Sequence, residues 1–386
     1  MPHARSTSPR SLVLVTVWLV ACTPSPARRV EPPTAAQPAD AAPARSEATA
    51  PTATSVEADA ASARAAELAA NDARILAAAA EIEAKAAQAA TRWTPALEQH
   101  ARKLMATRWR STGAAMKAIL GSPHRQPDSA SRDPWRHPAQ TLAFFGITPK
   151  MRVFEVGPGG GWWTELLAPL LAAQGKLSIA TWDARDDPSA RAQYRARTSA
   201  ALLASAPLLY GKIERIPNVG LKFEMGPDAS LDAIMVMRMT QNMMLGGGLE
   251  PFLAEAYAAL VPGGILAIEQ HRAPASMTTP QHPELGYLPE GWLVEQVTAA
   301  GFELVARSEL NANPKDTKDH PKGVWALPPT YADGDVDRAR YEAIGESDRM
   351  TLKFMKPTAA AKPASATAPA DAARSASAAA PASAAD

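Results

Sequence analysis

MRVFEVGPGGGWWTELLAPLL, Met151–Leu171, is the stretch from which the rest of the chain can be read. Met151–Val156 is an apolar run and reads as a buried strand. Gly157–Gly161 is a glycine turn, and Trp162–Leu171 an apolar helix. Glycine suits such a turn because it accepts positive φ and lets backbone approach a ligand with no Cβ in the way. The helix start adds free N–H donors beside it. Three nucleotide-binding motifs share this layout, and spacing separates them. A phosphate-cradling loop needs Gly-Lys-Ser/Thr after the turn, whereas Trp162-Trp163 stand here. A dinucleotide fingerprint needs G-x-G-x-x-G; Gly157 and Gly159 fit, but the sixth place is Trp162. A plain strand–turn–helix with no ligand is the bland alternative.

What remains is acidic-x-Gly-x-Gly-x-Gly: Glu155, Gly157, Gly159 and Gly161. This pattern resembles motif I of the class I S-adenosylmethionine-dependent methyltransferases. The resemblance implies S-adenosylmethionine as cofactor, with the turn wrapping its methionine part. The acid would help hold the turn or the cofactor's amino group. It also implies an α/β, Rossmann-like sheet of seven strands, mostly parallel with the last antiparallel, and helices on both faces.

The following segments fit that frame. Lys176–Trp182 reads as the second strand. In the family its end usually carries an acid for the ribose hydroxyls; the expected place is Thr181, and Asp183 is the acid closest after it. A helix is expected over Ser189–Ala206, a third strand over Leu221–Met225 and a fourth over Ala233–Met237. Open parallel sheets bind ligands at the carboxyl ends of their strands. Arg238, Gln241 and Asn242, just beyond the fourth strand, are therefore candidate substrate residues. After a helix over Leu249–Leu260 comes Leu260-x-Pro262-Gly263-Gly264, which resembles a second hallmark of the same family at the usual separation from the first. It opens a fifth strand, Ile265–Gln270, whose end carries Glu269 and His271, the candidate catalytic acid–base groups. Pro289–Ala300 reads as a helix and Phe302–Leu310 as strand six. Ser347–Lys356 alternates apolar and polar residues, as an antiparallel strand does, and is expected between strands five and six.

The flanks differ in composition. Residues 1–21 read as a signal peptide: Arg5 and Arg10 precede the short apolar run Ser11–Ala21, too short to span a bilayer. Leu19-Val20-Ala21-Cys22 resembles the lipobox of bacterial lipoproteins, which implies cleavage before Cys22 and lipidation of it. Cys22 is the single cysteine among 386 residues, so it has no internal disulfide partner. Thr23 follows instead of the aspartate of inner-membrane retention, so the expected location is the cell envelope, at the periplasmic face of the outer membrane. Residues 22–60 and 358–386 are rich in Pro, Ala and Ser, with too little apolar surface to offset ordering entropy; they are expected to be a disordered tether and tail.

Residues 61–120 form an Ala-rich segment expected to be helical. Its first part is expected to stand out as a stalk; the later part, with Trp93, Leu97, Leu104, Met105 and Trp109, is expected either to meet an envelope partner or to pack on its own domain. The methyltransferase-like domain is expected over 121–357. Within it, Gly121–Gln140 reads first as a charged surface connection, with a leader folded over the ligand cleft as the alternative.

A net charge of +1 argues against a nucleic-acid binder working by phosphate neutralisation. The histidines His271, His282 and His320 stand in no metal-ligand spacing, and no metal is expected.

Arg132–Ile147, the glycine turn with its aromatic pair, His271-Arg272-Ala273, Gly286-Tyr287, Asn311–Trp325 and Ile344–Lys356 together resemble a bacterial family of predicted methyltransferases, often exported, of undefined substrate. That family is expected to carry a histidine where Gln241 stands; Gln241 can exchange hydrogen bonds but cannot act as a base near neutral pH. Methyl transfer to a small molecule is the function this implies. Because S-adenosylmethionine is made in the cytoplasm, export brings in the alternative of a lipid-anchored protein, binding or structural, that kept the fold without the reaction.

Overall fold

The first strand, Arg152–Val156, carries Val153 in one apolar cluster and Phe154 in another, so successive side chains supply the cores on opposite faces of one sheet. The computed structural model describes residues 53–185 and 187–358, and the fold lies within the unit Asp59–Asp386. The signal peptide, Cys22 and nearly all of the tether lie outside the described residues, as does the tail after residue 358. No described helix is long and apolar enough to cross a membrane.

In chain order, α1 (Ala53–Ala90), α2 (Pro95–Ala106), α3 (Thr112–Leu120), α4 (Pro127–Ala130), α5 (Asp133–Arg136) and α6 (Pro138–Phe145) precede the sheet. Then come β1 (Arg152–Val156), α7 (Thr164–Leu171), β2 (Lys176–Trp182), α8 (Ala190–Ser205), α9 (Pro207–Tyr210), β3 (Glu214–Asn218) and β4 (Leu231–Met237). They are followed by α10 (Thr240–Leu245), α11 (Leu249–Ala259), β5 (Leu260–His271), α12 (Glu290–Ala299), β6 (Glu303–Ser308), α13 (Arg338–Ile344) and β7 (Arg349–Met355). The strands form one seven-stranded sheet in the order β3-β2-β1-β4-β5-β7-β6. β1 to β5 run parallel, and β7 lies antiparallel between β5 and β6. This is the Rossmann-like methyltransferase sheet that the motifs implied.

The third strand is a correction. It was expected over Leu221–Met225 and lies instead at Glu214–Asn218. β3 is the sheet's edge and mostly solvent-facing, so it carries almost no apolar signal, and an edge tolerates Pro217. The apolar residues Phe223 and Met225 are buried from a loop.

The later part of the Ala-rich segment packs on its own domain, with Leu104 and Met105 in the core and Trp93 and Trp109 against it, and so does the second half of α1. Ala79 is fully buried, and Arg197 of α8 holds Glu83 of α1 through Nε at 2.7 Å. Leu68, nearer the start of α1, is exposed.

The segment 121–140 is the larger correction. It forms short helices α4, α5 and the start of α6 instead of a surface connection, and His124, Arg125 and Arg136 are buried. Arg125 is satisfied inside: it spans Asp133 and Glu165, with its Nε 2.9 Å from Glu165.

Candidate functional site

The turn after β1 is built from glycines with different physical reasons. Gly157 and Gly161 are packed. A Cβ at Gly157 would lie 2.8 Å from Met239 Cγ, and one at Gly161 would overlap Leu202. Gly159 has φ +55°, and its absent Cβ would point into open space with nothing within 4 Å. Of these three, only Gly159 has open space where a Cβ would stand.

Three cavities have Gly159 and Gly160 as a wall, and two of them also share Gly157. One, of ≈ 540 Å³, is bounded by Gly157, Gly159, Gly160, the tryptophans Trp162 and Trp163, and the ends of β4 and β5. The other, of ≈ 420 Å³, shares Gly157, Gly159 and Gly160 and is closed by Trp182 at the end of β2, Tyr194 of α8, Met239 and Asn242. Both volumes fall within the range of small-molecule sites. The paired tryptophans do not fill the open space: Trp162 and Trp163 meet edge to face at 4.8 Å, and Trp162 Nε1 donates to the Ser129 carbonyl at 3.0 Å. Helix α1 contributes Ile82 to one cavity and Lys85 to the other.

Glu155 lies at the end of β1, 2 % exposed, and accepts a hydrogen bond from Thr164 Oγ1 at 2.8 Å. That bond ties the strand end to the first residue of α7. Burial pushes its carboxyl up to about 7, with the Thr164 bond pulling the other way. Asp183, one residue past β2, accepts from the Arg185 backbone N–H at 2.9 Å and is a wall of neither cavity. The adjoining Trp182 is a wall, held by its Nε1 donating to the Gly220 carbonyl at 2.9 Å. Asn242 faces the smaller cavity, not the larger one beside β5. Gln241 is turned inward, its Nε2 donating to the Arg238 carbonyl at 3.3 Å, and it is a wall of neither.

On the other side the structure gathers Arg238 and His271 at the larger cavity. Arg238 has φ +59°, a conformation uncommon for a side chain with a Cβ. Its Nη1 donates to Glu269 at 2.8 Å, and its backbone N–H donates to the Glu269 carbonyl at 2.7 Å. Glu269 is fully buried between Arg238 and Arg349 and is no wall of the cavity, so its role is to hold arginines, not to exchange protons with a ligand. His271 Nδ1 is 2.6 Å from Ser347 Oγ. Burial, then Arg238 and Arg349 nearby, push its pKa well below the ordinary histidine value, so the ring is neutral at physiological pH.

Sequence reading passed over Trp182, Tyr194 and Glu346. Arg132 and Arg136 lie in the segment that reads as a charged connection and in the Arg132–Ile147 stretch of the family resemblance, with no role of their own. The density of Arg, His and Trp in RDPWRHP was the available signal; nothing local tells that it folds inward. Among the described residues no cluster of His, Cys, Asp or Glu is placed to hold a metal.

No protein-family model and no curated protein matches the chain. Among solved structures, it is similar to a SAM-dependent methyltransferase from Aquifex aeolicus, at 16% identity and a TM-score of 0.39 over 60% of this chain and 94% of that one. It is similar to the [4+2]-cyclase SpnF at 18% identity and a TM-score of 0.42, over 58% and 82% of the two chains. A third is the 1,6-didemethyltoxoflavin-N1-methyltransferase of Burkholderia thailandensis, at 15% and 0.35 over 58% and 78%.

Proposed function

We propose that this protein is an S-adenosylmethionine-dependent methyltransferase acting on a small molecule, tethered to the cell envelope through a lipid on Cys22. The observation that carries the reading is Gly159: a left-handed glycine whose missing side chain leaves room for a ligand between two cavities. Glu155 and the turn would hold the methionine part, and the cavity of Trp182, Tyr194 and Asn242 would take the nucleoside. Bound there, the cofactor would supply an electrophilic methyl on a sulfonium sulfur.

The protein's own task is alignment. The larger cavity places the acceptor against the turn and shields it between Trp325, Pro329 and the buried arginines. Where the acceptor arrives protonated, His271 is the base. With the hydrogen on Nδ1 toward Ser347, Nε2 is left for the acceptor, and the lowered pKa keeps Nε2 unprotonated while making it a weak base.

Calorimetry with S-adenosylhomocysteine tests this reading and yields a signature of Glu155. The folded carboxyl, raised to about 7, still holds a proton through much of the neutral range. A bound ammonium favours the carboxylate, so binding at pH 7 releases roughly half a proton. The release shrinks well above pH 7, where Glu155 is already ionised. It appears as a dependence of binding enthalpy on buffer ionisation heat, and Glu155→Gln abolishes it. Micromolar binding with this release is the expected result; no binding to the full chain sinks the assignment.

A further inference from the structure

The larger cavity has a cationic end. Glu346 accepts from Arg132 Nε at 2.8 Å and Arg136 Nε at 3.0 Å, and it pairs with Arg349. Arg349 also lies 3.4 Å from Glu269, which holds Arg238. Four guanidinium groups thus share two carboxylates, an excess of two positive charges. The neighbouring acids do not cancel it: Asp133 and Glu165 are held by Arg125, Glu155 sits at the turn, and Asp128 is exposed at the rim, where Lys85 of α1 opposes it.

The arginines also have unused donors. Arg132 and Arg136 engage Glu346 through Nε, and among the described residues their terminal amines have no hydrogen-bond partner. The same is true of Nε and Nη2 of Arg238. Arg136 is only 3 % exposed and stacks over the Trp162 ring at 4.7 Å, yet it is a wall of the cavity, as are Arg132 and Arg238. None of these terminal donors is enclosed by protein, so they open onto the cavity and are free to meet a ligand there. Planar forks of this kind match the paired oxygens of a carboxylate or phosphate. Apolar and aromatic residues stand among the other walls, Trp325, Val324, Pro328 and Met237, beside the polar Gln126, Ser129, Thr330 and Ser347.

We propose that the acceptor has an apolar body ending in an anionic oxygen group, and that Arg132, Arg136 and Arg238 are its receptor. The inference rests on the methyl-transfer reading only in calling this ligand the acceptor. The cofactor's own carboxylate is the competing occupant of the arginines, and the experiment separates the two.

The full chain, saturated with S-adenosylhomocysteine, is titrated with phenyl phosphate, benzoate and the neutral benzyl alcohol. At least one anion is expected to bind about tenfold or more tighter than the alcohol. Which anion is the tighter tells phosphate from carboxylate. Arg132→Gln is expected to remove about tenfold of that preference while leaving S-adenosylhomocysteine affinity within about twofold, which also shows that the variant is folded. Equal binding of anions and alcohol to the wild-type chain overturns the proposal without any variant. So does an Arg132→Gln chain that loses S-adenosylhomocysteine and keeps the anion preference, since the arginine then serves the cofactor. If S-adenosylhomocysteine binds no form of the protein, the methyltransferase reading falls, and the preference for anions measured without it still decides whether the arginines form a receptor.

Discussion

Gly159→Leu is expected to weaken S-adenosylhomocysteine binding by on the order of 100-fold or more while leaving the protein folded. The asymmetry follows from geometry. No protein atom lies within 4 Å of the Cβ that the variant introduces, so nothing in the fold has to move for it. The residue's φ of +55° is left-handed, which costs roughly 1–2 kcal/mol for a residue with a Cβ. The leucine then occupies the space between the two cavities. Alanine at the same place fills less of it, so its affinity falls between the two. Gly161→Leu is the contrasting variant: its side chain meets Leu202 in the core, and stability suffers before binding does. Calorimetry for affinity and thermal melting for stability separate these outcomes. A Gly159→Leu protein that binds as the wild type would show that no ligand crosses the turn.

Glu346→Ala is expected to destabilise the fold by roughly 3–5 kcal/mol, because removing one partner leaves buried charges uncompensated. Burial alone would push the Glu346 carboxyl up, yet Arg349, Arg132 and Arg238 outweigh it and hold it below the usual range. The ionised form is therefore the stable one, and three arginines bond to it. These bonds also tie α5, ahead of the sheet, to the entry of β7, so their loss loosens the wall of the larger cavity. Glu346→Gln keeps an acceptor oxygen and loses the charge, and its effect is expected to be smaller. Urea unfolding at pH 7 gives both values. A loss below about 1 kcal/mol for the alanine variant would mean that water already screens these arginines.

What the chain declares by itself is local and repetitive. The period-two alternation of Ser347–Lys356, the apolar runs of β1, β2 and β4, the glycine turn after β1 and the Pro262-Gly263-Gly264 run in the first part of β5 each occupy a few consecutive residues. Burial on both faces forces such runs to be apolar, and a positive φ forces glycine. The sheet and the place of its ligand cleft followed from them. β3 escaped because an edge strand facing solvent needs neither property.

The larger cavity's cationic end was decided only by tertiary structure. Arg132 and Arg136 look like solvated surface charge until α5 meets Glu346, far along the chain. Glu269 looks like a catalytic acid until Arg238 and Arg349 close on it. Asp183 looks like a ribose ligand until the chain turns it toward Arg185. A backbone conformation is written into the residues that adopt it. The pairing of a charge depends on which distant group the fold brings against it, and no spacing along the sequence records that.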